Sequence, residues 1–132
     1  MSVAGEYAAC VALDFFAEVS ENLLPPGEPS ERFFRLLLSV LAYLRANPAD
    51  GVWPAVHYFS LWAVRLSGFL PDLRVNPESR AIAEEMMHTP ISQLTEREWS
   101  RATAADLRRF LVRQIQDHIE RKLHSASVLE TL

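Results

Sequence analysis

The chain has 132 residues, the size of one globular domain, and 49% of them are hydrophobic. Its net charge is −4. Residues 1–50 hold seven acidic and three basic side chains, residues 51–90 hold four acidic and three basic ones, and residues 91–132 hold six acidic and seven basic ones. A chain that binds nucleic acid tightly by itself normally has a basic surplus that displaces counterions, so this composition argues against independent tight DNA binding.

The first half of the chain predicts two amphipathic helices. Residues 3–24 form the first, with inward rows that hold Ala8, Val11, Ala12, Phe15, Phe16, Val19 and Asn22, and with Glu6, Asp14, Glu18 and Glu21 mainly outside. The Pro-Pro-Gly run at 25–27 ends it. Ser30 is a suitable N-cap for a second helix to about Ala46. Its apolar positions are Phe33, Phe34, Leu37, Leu41 and Leu44.

The stretch from Trp53 to Leu73 is apolar nearly all the way round, as a helix surrounded by others would be. Pro54 suits a first helical position, and Gly68 followed by Pro71 is a stop signal, so we predict a central helix over about 54–68. Its polar residues His57, Ser60 and Ser67 share one flank and are expected to form a thin exposed edge. Arg65 is expected to bind either a loop carboxylate such as Asp72 or a ligand.

Three further helix starts are predicted beyond the central helix. Asn76 with Pro77 caps a helix through Met87, and Thr95 with Glu98 forms a capping-box pattern for a short one. The residues Thr103 and Asp106 open a last long helix to about Leu123. Arg108 falls inside the apolar arc of that helix. Either this helix end projects past the core, which we favour, or the arginine serves a site.

These patterns together predict an all-α fold. Nothing in the sequence has the alternating period of a strand, the glycines of a phosphate loop or an internal repeat. We expect a compact bundle of about five to seven helices around the central helix, with residues 1–132 forming a single domain.

Cysteine, histidine and acidic residues give little basis for catalysis or metal binding. Cys10 is the single cysteine, so no internal disulfide or cysteine-based zinc site is possible, and it is expected to be a small core residue. Glu85 and His88 form one Glu-x-x-His pair, but carboxylate-bridged metal bundles need two. The other histidines are His57, His118 and His124, which form no helical zinc pair. We predict no metal, no cofactor and no enzyme activity.

No apolar run reaches the length of a membrane span, and the N-terminus has no basic stretch followed by an apolar one. No signal peptide is therefore visible. We predict that the chain is cytoplasmic.

Three segments resemble one known family. The first is the run from Phe59 to Leu73, in which the central helix ends in the turn Val-Arg-Leu-Ser-Gly-Phe-Leu-Pro-Asp-Leu. The marked positions of this run are Phe59, Leu61, Gly68, Phe69, Pro71 and Leu73. Residues 23–29 form a proline-rich break between two helices, and Ile119 to Ser125 with Val128 and Leu129 close the chain. All three are similar to the C-terminal helical domain of RecO, a family of DNA repair and recombination mediators.

The resemblance implies a non-enzymatic role in repair of gapped or broken DNA, in the bacterial cytoplasm and nucleoid. Members of the family load the recombinase onto single DNA strands that are covered by single-stranded-DNA-binding protein. They also anneal strands and work with the partner RecR. In some of them the helical domain is implied to hold the acidic, phenylalanine-ending tail of single-stranded-DNA-binding protein. Such a tail needs an apolar slot and a basic side chain for its terminal carboxylate. By spacing alone the candidates are Arg65, Arg108, Arg121 and Lys122.

The sequence also departs from the family pattern. Many members have a zinc-binding loop with paired cysteines after the Pro-x-Leu turn, whereas residues 74–79 contain no cysteine. The oligonucleotide-binding barrel of the family would precede residue 1. We expect a fragment of a longer protein, with a reduced standalone relative as the other possibility.

An unrelated helical module is the competing hypothesis. It would be a small homodimer that buries aromatic residues of the second helix, and an enzyme of unknown type is a third, weaker possibility. A family member should expose an apolar groove edged with basic side chains, whereas a dimer should expose a flat apolar patch.

Overall fold

The structure is a computed structural model that describes residues 3–24, 30–48, 50–95, 97 and 101–132. These residues form helices and no strand, which confirms the predicted all-α fold. The helices are α1 (Val3–Leu23), α2 (Glu31–Ala46), α3 (Val52–Leu66), α4 (Pro77–His88), α5 (Arg101–Ile119) and α6 (His124–Leu129), with a short 3₁₀ turn at Ile91–Gln93. In the described part of the chain, no helix is both long and apolar enough to cross a membrane.

Two helix starts lie where the capping residues predicted them. The Ser30 side chain accepts a hydrogen bond from the Phe33 backbone N–H at 3.3 Å, at the start of α2. Asn76 does the same for the Ser79 N–H at 2.8 Å, and Pro77 follows it as the first residue of α4. Each cap satisfies a backbone donor that the first helical turn would otherwise leave without a partner.

Helix α3 is the centre of the bundle, as predicted, and it packs against α1, α2, α4 and α5. Phe59, in its middle, is fully buried. Its ring centroid lies 6.2 Å from that of Phe15, 4.8 Å from Phe16 and 5.9 Å from Phe33. The contacts with Phe15 and Phe33 are edge-to-face, and such contacts add about 0.5–1.5 kcal/mol per pair beyond the buried area. One aromatic cluster thus joins the first three helices.

The predicted exposed edge of α3 is wrong. His57 and Ser60 are both fully buried, and Ser67 is half-buried at the end of the helix. The His57 Nδ1 atom lies 2.7 Å from the Trp53 carbonyl oxygen, and the Ser60 hydroxyl donates to the Val56 carbonyl at 2.7 Å. Because these polar groups have partners one turn earlier in the same helix, they can be buried without an unsatisfied hydrogen bond.

The outward faces of α1 and α2 are more apolar than expected. Cys10 was predicted to be a core residue and is exposed. Of the apolar positions of α2, Phe33 and Leu44 are buried, whereas Phe34 and Leu41 are exposed to 60% and 36%. The helical period indicates which residues share a row, whereas the packing of the bundle decides which rows meet a neighbouring helix.

The C-terminal region has a break that the sequence did not predict. Helix α5 ends at Ile119 rather than near Leu123, because Glu120 takes a left-handed conformation with φ 58°. The Arg121 N–H then donates back to the Gln116 carbonyl at 3.2 Å, which is the closing bond of a helix C-cap. The chain turns there into α6, which packs on α1.

Two predicted local signals extend into residues that the structure does not describe. Thr95 itself is described, and its N–H and hydroxyl both donate to the Glu85 carboxylate. Its predicted partner Glu98 and the Pro-Pro-Gly run at 25–27 lie outside the described residues.

Candidate functional site

A groove of about 310 Å³ lies between α2 and α3, and we call it the basic aromatic groove. Tyr58, Trp62 and Leu66 line it from successive turns of α3. The α2 side is formed by Arg32, Arg35, Leu36 and Ser39. Residues three or four apart share a helix face, so two neighbouring faces are sufficient to build this groove.

Two aromatic side chains give the groove its apolar wall. The ring centroids of Tyr58 and Trp62 are 6.2 Å apart at 45°. The Trp62 indole N–H donates to the Met86 carbonyl of α4 at 3.0 Å, and this bond fixes the position of the ring. Burial raises the pKa of the Tyr58 phenol, and a hydrogen bond with the Ile91 backbone partly offsets this rise. The phenol therefore stays neutral at physiological pH.

The rim of the groove is basic. The Arg65 guanidinium carbon lies 4.8 Å from the centroid of the Trp62 ring, a cation–π contact that replaces the expected contact with a loop carboxylate such as Asp72. Arg35 binds Glu31 at 2.6 Å, with both side chains more than 70% exposed. No carboxylate of a described residue lies within ion-pair distance of Arg32 or Arg65. The rim thus offers a net positive charge to a ligand.

Arg108 is far more buried than predicted. It is 2% exposed in the core, so the favoured expectation that this end of α5 projects past the core is wrong. Its guanidinium lies 4.7 Å from the Trp53 ring centroid and donates to the Glu130 carboxylate at 3.2 Å. Arg109, on the surface, also binds Glu130 through two nitrogen atoms, at 3.0 and 3.3 Å. These contacts join α3 and α5 to the end of the chain.

The other two predicted basic residues lie on the turn that follows α5. Arg121 and Lys122 are exposed, and the Arg121 guanidinium donates to the Asn22 side-chain oxygen at 3.1 Å. Neither they nor Arg108 line the basic aromatic groove. Arg65 is not part of the lining either, but it contacts the ring of Trp62, which is.

Glu85, which forms the Glu-x-x-His pair with His88, has a structural role rather than a role in metal binding. Its carboxylate accepts hydrogen bonds from Thr95 and from the Arg97 guanidinium, the latter at 2.8 Å. The hydrogen bond from the Thr95 side chain is the main reason why the pKa of Glu85 lies below its usual value. Across the described residues, no three His, Cys, Asp or Glu side chains form a group that could hold a metal ion.

A larger cleft of about 680 Å³ lies beside the start of α3. Its lining includes the acidic residues Asp50 and Glu85 and the basic residue Arg97. Since Arg97 is already paired with Glu85, this cleft has no positive surplus for an acidic ligand. The smaller basic aromatic groove is the better candidate for one.

The family-type turn after α3 has a structural function. Gly68 has φ 81°, a conformation that favours glycine, and its N–H donates to the Arg65 carbonyl at 3.1 Å. The following Phe69 ring stacks on His118 of α5 at 4.0 Å, nearly parallel. Of the other motif positions, Phe59, Leu61 and Leu73 are buried and Pro71 is exposed. The motif therefore fixes how the chain leaves α3.

Sequence reasoning missed most of the groove. Arg32, Arg35, Tyr58 and Trp62 were not singled out as binding residues. The spacing of Tyr58, Trp62 and Leu66 was readable as one helix face, but only the packing of α2 beside α3 shows that this face borders a groove.

The described residues thus form an all-α bundle with a groove between α2 and α3. The family model for the C-terminal part of recombination protein O matches residues 4–76 of the chain. The DNA repair protein RecO of Koribacter versatilis (strain Ellin345) is 36% identical to the chain over 166 residues, which cover 100% of this chain and 67% of that protein. The chain belongs to the RecO family. No solved structure matches it.

Proposed function

We propose that this chain acts in DNA repair and recombination as the helical partner-docking domain of a recombination mediator. Family membership supports the repair role. The partner we propose is the acidic, phenylalanine-ending tail of single-stranded-DNA-binding protein, with the basic aromatic groove as its site. The observation that carries this proposal is an apolar groove with Tyr58 and Trp62 in its wall and arginines at its rim.

The groove matches both parts of such a tail. A phenyl ring that enters it would meet the Tyr58 and Trp62 rings and the Leu66 side chain, which offer aromatic and aliphatic contact. The terminal carboxylate would then lie at the rim, where Arg65 extends over Trp62 and Arg32 lies across the groove. Arginine binds carboxylates with strong, directional hydrogen bonds.

The acidic residues that precede the ring would meet the remaining positive charge. Arg35 is exposed, and its contact with Glu31 is a surface pair of the kind worth about 0–1 kcal/mol, so an acidic peptide can compete with it. One aromatic anchor with a few exposed charges gives weak binding, with a dissociation constant on the order of micromolar, and salt should weaken it further.

Calorimetric titration of the chain with a synthetic tail peptide tests the proposal. We expect Arg65→Ala and Arg32→Ala each to weaken binding by about tenfold, the effect of about 1.4 kcal/mol from a charge-assisted contact. Arg113→Ala is the matched control, because Arg113 is an exposed arginine of α5 that does not line the groove. A peptide without its terminal phenylalanine should not bind measurably.

Absence of binding by the unaltered chain at high concentration would overturn the proposal. It would also fail if Arg113→Ala weakened binding as much as Arg65→Ala, since the peptide would then respond only to overall charge. Circular dichroism of each variant shows whether the helices remain intact.

Further expectations from the sequence belong to the same proposal. We propose that residues 1–132 act as one domain, that the domain binds partners rather than catalysing a reaction, and that it works in the cytoplasm alongside RecR. Tail binding through Arg108, Arg121 or Lys122 is less favoured, because these residues lie away from the groove lining.

A further inference from the structure

The outward face of α2 carries a line of exposed residues that we call the α2 stripe. Its members are Glu31, Phe34, Leu38, Leu41 and Arg45. The three apolar members are exposed to 60%, 51% and 36%, and they are three of the five large exposed apolar side chains among the described residues. The alternating spacing of three and four residues is the pattern by which two helices pair side by side.

We propose that the α2 stripe binds the α2 stripe of a second copy of the chain, with the two helices antiparallel around a twofold axis at Leu38. In this arrangement, residues at equal distances before and after Leu38 become neighbours. Phe34 of each copy therefore lies against the small, exposed side chain of Ala42 in the other. Large and small residues face each other, so the helices can approach closely.

The charges at the two ends of the stripe select this direction. Glu31 precedes Leu38 by as many residues as Arg45 follows it, so each carboxylate meets a guanidinium of the other copy. A parallel pair would instead place like charges together. Glu31 binds Arg35 of its own helix, but both side chains are exposed and water weakens that contact. An acidic residue at the start and a basic residue at the end of a helix also interact favourably with the helix dipole. That interaction does not explain the exposed apolar residues between them.

The paired copies would leave the basic aromatic groove open. At 100° per residue, Arg32, Leu36 and Ser39 lie on the side of α2 that faces the groove, and the stripe lies on the outward side. Arg35 is at the boundary, and the symmetry places it near Leu41 of the second copy, because the two positions are equally far from Leu38. The dimer therefore leaves Arg32, Leu36 and Ser39 clear and presents two grooves.

Analytical ultracentrifugation of the 132-residue chain tests the proposal. Because the interface of two short helices is small, we expect a weak dimer that becomes visible above about 10 µM. Leu38→Glu should abolish it and leave the helical circular dichroism unchanged, since Leu38 is exposed. Leu13→Glu is the matched control, because Leu13 is a similarly exposed leucine on α1.

Charge reversals test the antiparallel direction. Glu31→Arg or Arg45→Glu alone should raise the dimer dissociation constant by about tenfold or more, because like charges then meet twice. The double variant should restore the original value, and a mixture of the two single variants should form a mixed dimer. A chain that stays monomeric up to about 1 mM, a dimer that survives Leu38→Glu, or a double variant as weak as the single ones would each overturn the proposal.

Discussion

The Glu18 carboxylate of α1 accepts a hydrogen bond from the Ser125 backbone N–H at 2.8 Å, although the two residues are 107 positions apart in the chain. The Ser125 hydroxyl and the His124 N–H, the latter at 3.0 Å, bind the same carboxylate. One acidic side chain of the first helix thus satisfies the donors at the start of the last helix. Helix α6 has no side-chain cap of its own.

We expect Glu18→Gln to destabilise the domain by about 1–2 kcal/mol, because hydrogen bonds to a charged acceptor are among the stronger ones. Chemical denaturation measures the change, and hydrogen exchange at residues 124–129 should accelerate most. Glu21→Gln is the control, since Glu21 is exposed on the same helix. Equal effects of the two substitutions would mean that general charge, not this contact, stabilises the domain.

The stability of the domain should fall in acid. Burial raises the pKa of Glu18, but the bonds from Ser125 and His124 outweigh it, so the pKa lies below its usual value. The pKa of Glu130 is lowered mainly by the side-chain bond from Arg109, and that of Glu85 is lowered as well. The unfolded chain therefore binds more protons, and this stability is present above the ordinary glutamate pKa of about 4.3 and is lost below it.

Thermal unfolding between pH 7 and pH 3 measures this effect. We expect a nearly constant midpoint down to about pH 5 and a fall of about 5–10 °C from there to pH 3. The difference in unfolding free energy between the unaltered chain and Glu18→Gln should shrink over the same range. A midpoint that rises on acidification would contradict the assignment.

Arg108→Ala should cost about 2–4 kcal/mol, because it removes a buried side chain that packs on Trp53 and binds Glu130. Arg108→Met keeps the apolar stem and should cost less. Arg109→Ala is the control with the same partner, since Arg109 is 65% exposed and water screens its contact, so its loss should cost less than that of Arg108. Urea denaturation compares the three. If Arg109→Ala proved the most costly, the buried contact would not be the stabilising one.

The chain alone should not bind single-stranded DNA tightly at physiological salt. Helix α1 exposes Glu6, Asp14 and Glu21, and the arginines at the groove rim are too few to displace many counterions. Fluorescence anisotropy with a labelled oligonucleotide measures this, and we expect a dissociation constant above the micromolar range. Submicromolar binding would contradict the prediction.

Local signals in the sequence predicted the helices well. Ser30 and Asn76 cap helices through contacts with residues three positions later, and the stop at Gly68 depends on the conformation of that one residue. Such features depend on residues within one helical turn, so the local sequence is sufficient to predict them. The stop at Glu120 has no such signal, because glutamate is not a residue that favours positive φ.

Contacts between distant segments explain what the sequence could not predict. Arg108 is a charged residue in the apolar arc of α5, which the pattern of that helix does not explain. Its contacts with Trp53 and Glu130 explain how it can be buried there. The basic aromatic groove likewise depends on how α2 lies against α3. Polarity alone was misleading for Ser60, since a carbonyl of its own helix accepts its hydrogen bond.

The position of Trp62 allows its intrinsic fluorescence to report ligand binding. Its indole forms one wall of the basic aromatic groove, beneath the Arg65 cation and bonded to the Met86 carbonyl, whereas Trp53 lies against buried Arg108. A ring that displaces water from the groove would move the Trp62 emission to shorter wavelength, so occupancy can be followed without a label. Trp62→Phe would remove this signal while keeping an aromatic wall.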